Sequence, residues 1–374
     1  MLTNTYHIAT NLQLSHMAFQ EPDFTVFADL IERALFTFGR AVHSTFAFKI
    51  AEGKARLSFL RPENREFWLC CWRYIMNLSM RGIWRSAEEY ARLLFSLDPE
   101  GDPYQMCLLI DLLALKARQP ERFLAFVEHD RFRAQFAHLP NIAYSTALAY
   151  QQLNQDTLAR EYLAKAITRF PWVLRELYVE LSIRHDPKSP LASELPRPSV
   201  LQNLLCVLYV ERTKDLWKVP QSLRLLAEVA GTIHTLPKTR PGHLEASEQE
   251  GFHGVHINVA RHVVMMDNTT VLRHVPKEWT LGGSLYYDPL APPEQIESYA
   301  LPTQGVRRTP EAAVENDEAS LLTNFLMNYL PRMTGGANAR DPEAEVLAER
   351  LRLAALTESG FEDDGGGEVE EVDE

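Results

Sequence analysis

Histidines are the residues whose type and spacing come closest to a metal-binding motif. His253 and His256 are separated by two residues, and His262 and His274 follow them. A structural zinc site needs four cysteine, histidine or carboxylate ligands at characteristic spacings. No cysteine and no acidic pair at ligand spacing completes this set. The sequence therefore favours structural roles for these histidines and predicts neither a metal nor a cofactor.

Motifs for phosphate binding and for nucleophilic catalysis are missing from the sequence. Neither GxGxxG nor GxxxxGK[ST] occurs, and these are the common glycine-rich loops that hold nucleotide phosphates. No nucleophile elbow marks a Ser-His-Asp or Cys-His arrangement. The acidic pair Glu88 and Glu89 is predicted to lie on a solvated helix face. We therefore predict that the chain is not an enzyme.

Basic residues are enriched over residues 54–92, which contain eight lysines and arginines against four acidic residues. Arginine binds phosphate oxygens through two parallel hydrogen bonds, so this stretch is a candidate for contact with an RNA backbone. The alternative is an ordinary solvated helix surface, which so modest an excess of charge also fits. The candidate RNA-facing residues are Arg61, Arg65, Arg73, Arg81, Arg85 and Arg92.

The composition is that of a soluble globular protein, with 46% hydrophobic and 24% charged residues. The net charge of -12 is concentrated at the end of the chain, where eight acidic residues follow Phe361, so the body is only mildly acidic. No signal peptide and no apolar run of about 18 residues is present, which predicts no membrane partner. Apolar neighbours and the absence of a CxxC spacing predict reduced core thiols for Cys70, Cys71, Cys107 and Cys206.

Helical periodicity dominates the first half of the chain. Phe24, Phe27, Ile31 and Phe38 fall on one face of a helix. A second helix is predicted over residues 66–80 and ends at Gly82. A capping box of Ser86 and Glu89 predicts the start of a third, and Asp102-Pro103 the start of another. Helical spacing places a set of aromatic residues in the core: Phe67, Trp68, Trp72, Trp84 and Phe95.

Small residues recur at fixed distances before two prolines. Gly82 and Ala87 precede Pro99 by seventeen and twelve residues, and Asn154 and Ala159 precede Pro171 by the same distances. Small residues let antiparallel helices approach closely, and this spacing is that of the tetratricopeptide repeat of about 34 residues. A degenerate repeat over residues 104–136 fits between the two. The sequence thus predicts an all-α, tetratricopeptide-like α-solenoid built from three helical hairpins.

The chain divides into four predicted regions. Residues 1–185 are the tetratricopeptide-like repeat region, 186–199 a proline-rich linker, 200–358 a C-terminal helical region with proline-rich loops, and 359–374 a disordered acidic tail. Within the C-terminal region, helices are predicted over residues 200–212, 222–235, 255–272, 317–330 and 342–358.

Several sequence words, in fixed order, resemble one known family. The central segment, residues 61–119, is RPENREFWLCCWRYIMNLSMRGIWRSAEEYARLLFSLDPEGDPYQMCLLIDLLALKARQ. LPNIAYSTALAY starts at Leu139, RFPWVLRELY at Arg169 and LYVERTKDLWKVP at Leu208, followed by ARHVVM at Ala260 and YYDPLAPP at Tyr286. Together with the opening from Tyr6, these words are similar to the ribosome quality control complex subunit 1 (transcription factor 25) family.

The resemblance implies a function in the rescue of stalled translation. It implies a non-enzymatic adaptor that acts on the obstructed large (60S) ribosomal subunit and promotes degradative ubiquitination and extraction of the nascent chain. The implied partners are the listerin E3 ubiquitin ligase, ubiquitin, the nascent-chain-tailing factor and the valosin-containing AAA ATPase. The expected location is the cytoplasm, and also the nucleus.

Two alternative functions remain open, and the sequence departs from the family's pattern at one point. The alternatives are a nuclear transcriptional regulator, against which the sequence offers no DNA-reading motif, and a general helical-repeat interaction scaffold. We therefore expect no specific DNA partner. Members of the family begin with a long lysine-rich region, whereas Met1 stands close to the start of the helical body. Ribosome contacts made through such a region are accordingly not expected of these residues.

Overall fold

The structure is a computed structural model that describes residues 7–183, 198–233, 254–280 and 288–296. All of them belong to one compact unit, Met1–Leu301. The described residues form helices and loops without a strand, which confirms the all-α prediction. In chain order the helices are α1 (Ile8–Gln20), α2 (Phe24–Ala41), α3 (Thr45–Ala51), α4 (Pro62–Met80), α5 (Trp84–Leu97), α6 (Ile110–Lys116), α7 (Pro120–Val127), α8 (Asp130–Phe136), α9 (Pro140–Gln152), α10 (Asp156–Arg169), α11 (Pro171–Glu180), α12 (Val200–Trp217), α13 (Pro220–Thr232), α14 (Ile257–Met266) and α15 (Thr269–Leu272).

Two of the three predicted hairpins are present, as α4–α5 and α9–α10. Each turns at a residue with a left-handed backbone, Gly82 (φ +73°) in the first and Asn154 (φ +58°) in the second. The N–H of Ile83 donates to Leu78 O at 2.8 Å, which closes the end of α4 in the manner of a Schellman motif. The two alanines that the repeat spacing singled out, Ala87 and Ala159, are fully buried, whereas the turn residues Gly82 and Asn154 are exposed.

The start of α5 differs from the predicted capping box. The helix begins at Trp84 after Ile83, without a side-chain cap, and Ser86 lies inside its first turn. The reason is the closed turn at Gly82, which brings the chain back into a helix two residues later. The capping-box prediction was therefore wrong, whereas the end of the helix at Leu97 was predicted correctly.

The third predicted hairpin, over residues 104–136, is replaced by three short helices, α6 to α8. The predicted helix start at Asp102-Pro103 is also wrong. Asp102 is left-handed (φ +34°), and its carboxylate accepts hydrogen bonds from the N–H groups of Met106 (2.8 Å) and Cys107 (3.0 Å). These bonds hold a 3-10 turn, Met106–Leu108, and delay the helix to Ile110. The regular solenoid therefore stays a prediction.

Asp102 gives the fold a pH dependence that we expect to be measurable. Burial raises its pKa from 3.8 to about 6. The folded state then holds the proton more tightly than the unfolded chain, so ionisation of this group lowers the unfolding free energy as pH rises from about 4 to about 6. Relative to Asp102→Asn, the wild type should lose up to about 3 kcal/mol over this window, by urea unfolding at each pH. A difference that is constant with pH would contradict this assignment.

The main hydrophobic core of the described residues runs from Phe38 to Val275, and two small clusters join α1 to α2 and α4. The main core contains four of the five predicted core aromatics, and Trp84 packs half-buried against it. The four cysteines are free and buried, as predicted. Burial raises the pKa of each thiol, that of Cys70 to about 12, so they are protonated at neutral pH.

Helices that follow the predicted linker pack on those that precede it. Helix α12 contacts α9 and α11, and Trp217 of α12 is fully buried with its indole N–H donating to the hydroxyl of Tyr209 at 3.1 Å. The helix predicted over residues 255–272 is interrupted at Asp267 (φ +51°) and forms α14 and α15. Residues 186–197, the predicted helices over 317–330 and 342–358, and the tail lie outside the described residues. The four-region division therefore stays a prediction.

A search of the described helices finds none that is both long enough and apolar enough to cross a bilayer.

Candidate functional site

The six candidate RNA-facing arginines are not on one surface. Arg65 and Arg73 are buried, at 5% and 9% exposure, and Arg92 is half-buried. Arg61, Arg81 and Arg85 are exposed. Arg81 and Arg85 flank the turn between α4 and α5, whereas Arg61 precedes the other end of α4, about 28 Å away for a helix of this length. The candidate surface is thereby reduced to the pair Arg81 and Arg85, with Arg61 apart.

Arg65 is buried because it holds a later segment of the chain. Its guanidinium donates to both carboxylate oxygens of Asp288, at 2.8 and 2.7 Å. Beside it, the fully buried Arg261 donates to the carbonyl of Pro289 at 2.9 Å and to that of Pro103 at 2.6 Å. Both guanidinium groups lie near the ring of Phe59, at 6.0 and 4.7 Å from its centroid. We call Arg65, Arg261 and Phe59 the arginine anchor, since they fix residues 288–296 to the body.

Arg73 is buried because it ties α4 to α1. Its guanidinium donates to the carbonyl of Leu12 and, at 2.9 Å, to the hydroxyl of Ser15. Burial lowers the pKa of Arg73 to about 10, so it still carries its charge at neutral pH. Neither Arg65 nor Arg73 can face an RNA backbone in this structure, because both guanidinium groups are engaged inside the protein.

Arg92 is held by an acidic residue that the sequence analysis placed wrongly. Glu88 was predicted to be solvated but is fully buried, and it forms ion pairs with Arg92 and, at 3.6 Å, with Arg122 of α7. Its neighbour Glu89 is exposed, as predicted, and pairs with Arg122 as well. A buried charge is stable only when it is paired, and Arg92 of the same helix and Arg122 of α7 supply that pairing. The contact with Arg122 depends on tertiary packing, which is why burial of Glu88 was not predicted.

The histidines do not converge. His256 caps α14, accepting at Nδ1 from the N–H of Asn258 (3.2 Å), and His274 is 3.2 Å from the side chain of Asn203. His262 is buried, and its Nδ1–H donates to Tyr104 O at 2.7 Å. Burial lowers the pKa of His262 well below its usual value, so the ring is neutral. His253 lies outside the described residues, and among those described no His, Cys, Asp and Glu side chains cluster closely enough to hold a metal.

A buried polar cluster that was not predicted links α6 to α9. Ser145 donates to the carboxylate of Asp111 at 2.7 Å, and Asn141 donates to Cys107 O at 2.9 Å. Burial raises the pKa of Asp111. Asp111 interrupts an apolar run in the sequence, and that interruption was the available signal. The group lies between packed helices, so it fixes their register.

The openings in the described surface include an apolar groove and a polar cavity. The first is an apolar groove of about 230 Å³ between α1, α2, α4 and α14, which we call the methionine groove. Four methionines line it, together with aromatic side chains: Met76, Met80, Met265, Met266, Phe19, Phe27 and Trp72. Methionine adapts its shape to varied apolar partners, and exposed apolar grooves are typical of protein interaction sites.

The second opening, which we call the polar cavity, measures about 490 Å³. Its wall includes residues at the N-terminal ends of three helices: Leu139 at α9, Leu201 and Gln202 in the first turn of α12, and His256 at α14. Two of these helix starts can be recognised in the sequence, from the proline after Leu139 and from the Ser199-x-x-Gln202 capping box. Their proximity in the fold cannot, because it depends on tertiary packing.

The comparisons with known proteins point to one family. The model of the family described as "Transcriptional repressor TCF25" matches residues 1–292. The chain is 31% identical to human "Ribosome quality control complex subunit TCF25", over 98% of this chain and 58% of the human protein. It is 29% identical to "Ribosome quality control complex subunit 1" of Schizosaccharomyces pombe, over 98% of this chain and 53% of that protein. The Saccharomyces cerevisiae protein of the same name is 23% identical over 77% of this chain.

The chain spans about half the length of the curated relatives that it matches most fully. No solved structure matches it. Because the family model covers the helical body and these relatives align with nearly the whole chain, the chain belongs to the TCF25 family.

Proposed function

We propose that the chain is a non-enzymatic adaptor in ribosome quality control. It binds the stalled large ribosomal subunit in the cytoplasm and works with the listerin ubiquitin ligase to promote degradative ubiquitination of the nascent chain. Ubiquitin, the nascent-chain-tailing factor and the valosin-containing AAA ATPase are its further proposed partners.

The observation that carries this proposal is the sequence similarity between the chain and its relatives. Proteins named as ribosome quality control complex subunits in human and fission yeast align with 98% of it, and the alignment therefore includes the helical body. An adaptor must bind several partners at once, and a helical core with separate exposed surfaces can do so. The methionine groove and the Arg81–Arg85 pair are two such surfaces.

Immunoprecipitation tests the proposal. The tagged chain is recovered from cells in which translation has been stalled and from unstalled cells, and large-subunit proteins, listerin and ubiquitin conjugates are quantified. We expect all three to be enriched on stalling. A precipitate that contains no large-subunit protein and no listerin under stalling would refute the adaptor function.

The exposed arginine pair gives a narrower prediction. Charge reversal of Arg81 and Arg85 to Glu should weaken co-sedimentation with purified large subunits about tenfold and flatten its salt dependence, because phosphate contacts supply salt-sensitive affinity. The matched control is reversal of Arg131 and Arg133, which are exposed on α8 and engaged with Glu100 and Asp130. Thermal unfolding should change little in either variant, because all four arginines are exposed. Equal co-sedimentation of the two variants would show that Arg81 and Arg85 are ordinary surface charges and do not contact the large subunit.

Transcriptional regulation is the second candidate function. It is favoured by the description of the family model and by 30% identity, over 79% of this chain, to "Probable transcription factor claV" of Ampulloclitocybe clavipes. A sequence-specific, salt-dependent DNA complex of the purified chain would establish it. Binding of random and selected DNA with equal affinity would exclude direct DNA reading.

A further inference from the structure

The turn between α4 and α5 and the turn between α6 and α7 are closed by the same kind of hydrogen bond. In the first, the N–H of Ile83 donates to Leu78 O at 2.8 Å. In the second, the N–H of Gln119 donates to Ala114 O at 2.9 Å. Both turns contain one left-handed residue, which in the second is Arg118 (φ +55°). Each turn thus reverses the chain within a few residues, and its side chains lie at one end of the two helices that it joins.

A contact between two side chains places these turns side by side. Lys116, in the last turn of α6, has its Nζ 5.7 Å from the centroid of the Trp84 ring, in the first turn of α5. Because the end of α6 therefore lies against the start of α5, the basic residues of the two turns are neighbours. Arg81 and Arg85 come from the first turn, and Lys116 and Arg118 come from the second. We call these four residues the basic edge.

The chain around the basic edge does not neutralise its charge. Residues 81–85 and 116–119 contain no acidic residue. In the part of the chain that the structure describes, none of the four basic side chains forms an ion pair. Glu89, one helical turn after Arg85, is bound to Arg122 through both carboxylate oxygens. Three of the four basic side chains are exposed and that of Lys116 is half-buried, so they are available to an anionic partner.

The density of positive charge favours a nucleic acid as that partner. A guanidinium binds two phosphate oxygens at once, and a lysine adds a compact charge. A nucleic-acid duplex carries roughly one negative charge per 1.7 Å of its axis. Consecutive acidic side chains of an extended protein segment are about 3.3 Å apart or more, so such a segment matches four neighbouring cations less well.

The scarcity of aromatic rings at the basic edge favours a double helix over a single strand. Sites for single strands combine basic side chains with exposed aromatic rings on which the bases stack. Residues 81–85 and 116–119 contain one aromatic residue, Trp84, which is half-buried with Lys116 over its ring. Double-stranded RNA is contacted at its phosphates and 2′-hydroxyls, which requires no stacking.

We propose that the basic edge binds the phosphate backbone of a double-helical RNA segment. Arg81 and Arg85 contact phosphates from one turn, and Lys116 and Arg118 contact phosphates from the next. These contacts position the chain on the RNA and read no base sequence. The identification of this RNA as ribosomal rests on the proposed function, whereas the chemistry of the site rests on the four side chains.

Salt-dependent binding of naked RNA tests the proposal. The full chain is titrated by fluorescence anisotropy against a labelled RNA hairpin of about 16 base pairs, at several salt concentrations. Four phosphate contacts should give a slope of about −3 to −4 in the logarithm of the binding constant against that of salt concentration. The double variant Lys116→Gln/Arg118→Gln should halve this slope and weaken binding by a factor of about 10 to 100 at about 0.1 M salt.

Two further variants control for charge and for folding. Arg160→Gln/Lys165→Gln removes the same two charges from α10, where both side chains are exposed and paired with glutamates, and it should leave the slope unchanged. Arg118→Asn leaves Lys116 on the Trp84 ring, and asparagine tolerates a left-handed backbone. It should reduce the magnitude of the slope by about one, and it decides the question if the double variant does not fold.

Three results would overturn the proposal. The first is an equal slope for the Lys116→Gln/Arg118→Gln variant and its control. The second is binding of a uridine strand with the same number of phosphates at least as tight as that of the hairpin, which would make this a single-strand site. The third is complete displacement of the hairpin by polyglutamate at equal concentration of charge, which would identify an acidic protein segment as the partner.

Failure of this inference is distinguishable from failure of the proposed function. If large subunits and listerin are recovered from stalled cells but the slope is unchanged in the Lys116→Gln/Arg118→Gln variant, the basic edge does not bind RNA and the adaptor function stands. If the slope falls in this variant but no large-subunit protein and no listerin is recovered, the basic edge binds RNA and the adaptor function is refuted.

Discussion

Replacing Arg261 with methionine is expected to lower the free energy of unfolding by about 3–5 kcal/mol. The substitution removes the donor for the carbonyls of Pro103, Pro289 and Leu290, of which the first two are buried, and each buried carbonyl left unsatisfied costs roughly 1–3 kcal/mol. It also removes the cation that lies 4.7 Å from the centre of the Phe59 ring. Urea unfolding measures the loss, and hydrogen exchange at the Ile296 amide, bonded to Leu60 O at 3.1 Å, reports release of residues 288–296.

Arg131→Met is the control for this experiment. That arginine is half-exposed and pairs with an exposed glutamate, so its loss should cost no more than about 1 kcal/mol. Asp288→Asn should give an intermediate effect, because it weakens the bidentate contact with Arg65 and leaves Arg261 in place. If Arg261→Met and Arg131→Met unfold alike, and Ile296 exchanges at the wild-type rate, the arginine anchor does not hold the segment.

Trp217→Ala is expected to destabilise the described fold by about 3–5 kcal/mol, as removal of a large buried side chain leaves a cavity. The consequence should extend beyond α12. Trp217 contacts Tyr209 of its own helix and Tyr144 of α9, so hydrogen exchange in α9 and α10 should accelerate together with that in α12. The measurement is native-state hydrogen exchange in low concentrations of urea.

Trp84→Ala serves as the matched control, because this tryptophan is only half-buried and should cost clearly less. The experiment also decides between two organisations of the chain. One cooperative transition means that helices before and after the predicted linker form a single folding unit. Faster exchange confined to residues 200–232, with α4 to α10 unaffected, would instead support the division at residues 186–199.

The sequence predicted helix ends and close helix crossings correctly where a single residue type determines them. Gly82 and Asn154 end their helices with left-handed backbones, and the alanines at repeat spacing are buried, because a turn residue and a close helix crossing each need one specific residue type. The same reasoning failed at Asp102. An Asp-Pro pair is typical of a helix start, but here the carboxylate accepts two N–H groups four and five residues later and folds a 3-10 turn first.

Long-range pairing explains why the charged residues were harder to place. Arg65 and Asp288 are 223 residues apart in the chain, and Arg73 donates to a carbonyl 61 residues earlier. A short stretch of sequence does not contain the distant partner, so such an arginine cannot be told from an ordinary surface charge. Glu88 was misplaced for the same reason, since Arg122 comes from another helix. The polar cavity was equally inaccessible, because three helix starts separated by up to 117 residues become neighbours only in the folded chain.

The arginine anchor has a mechanical consequence. A pull on the chain beyond Ile296 first meets the hydrogen bond to Leu60, then the anchored carbonyls of Leu290 and Pro289, and last the Asp288–Arg65 pair. Tension is thus delivered to the start of α4 and to the middle of α14, where Arg65 and Arg261 are buried. Force applied to the chain beyond Ile296 is therefore borne by buried hydrogen bonds and an ion pair before it reaches the helices that precede residue 288.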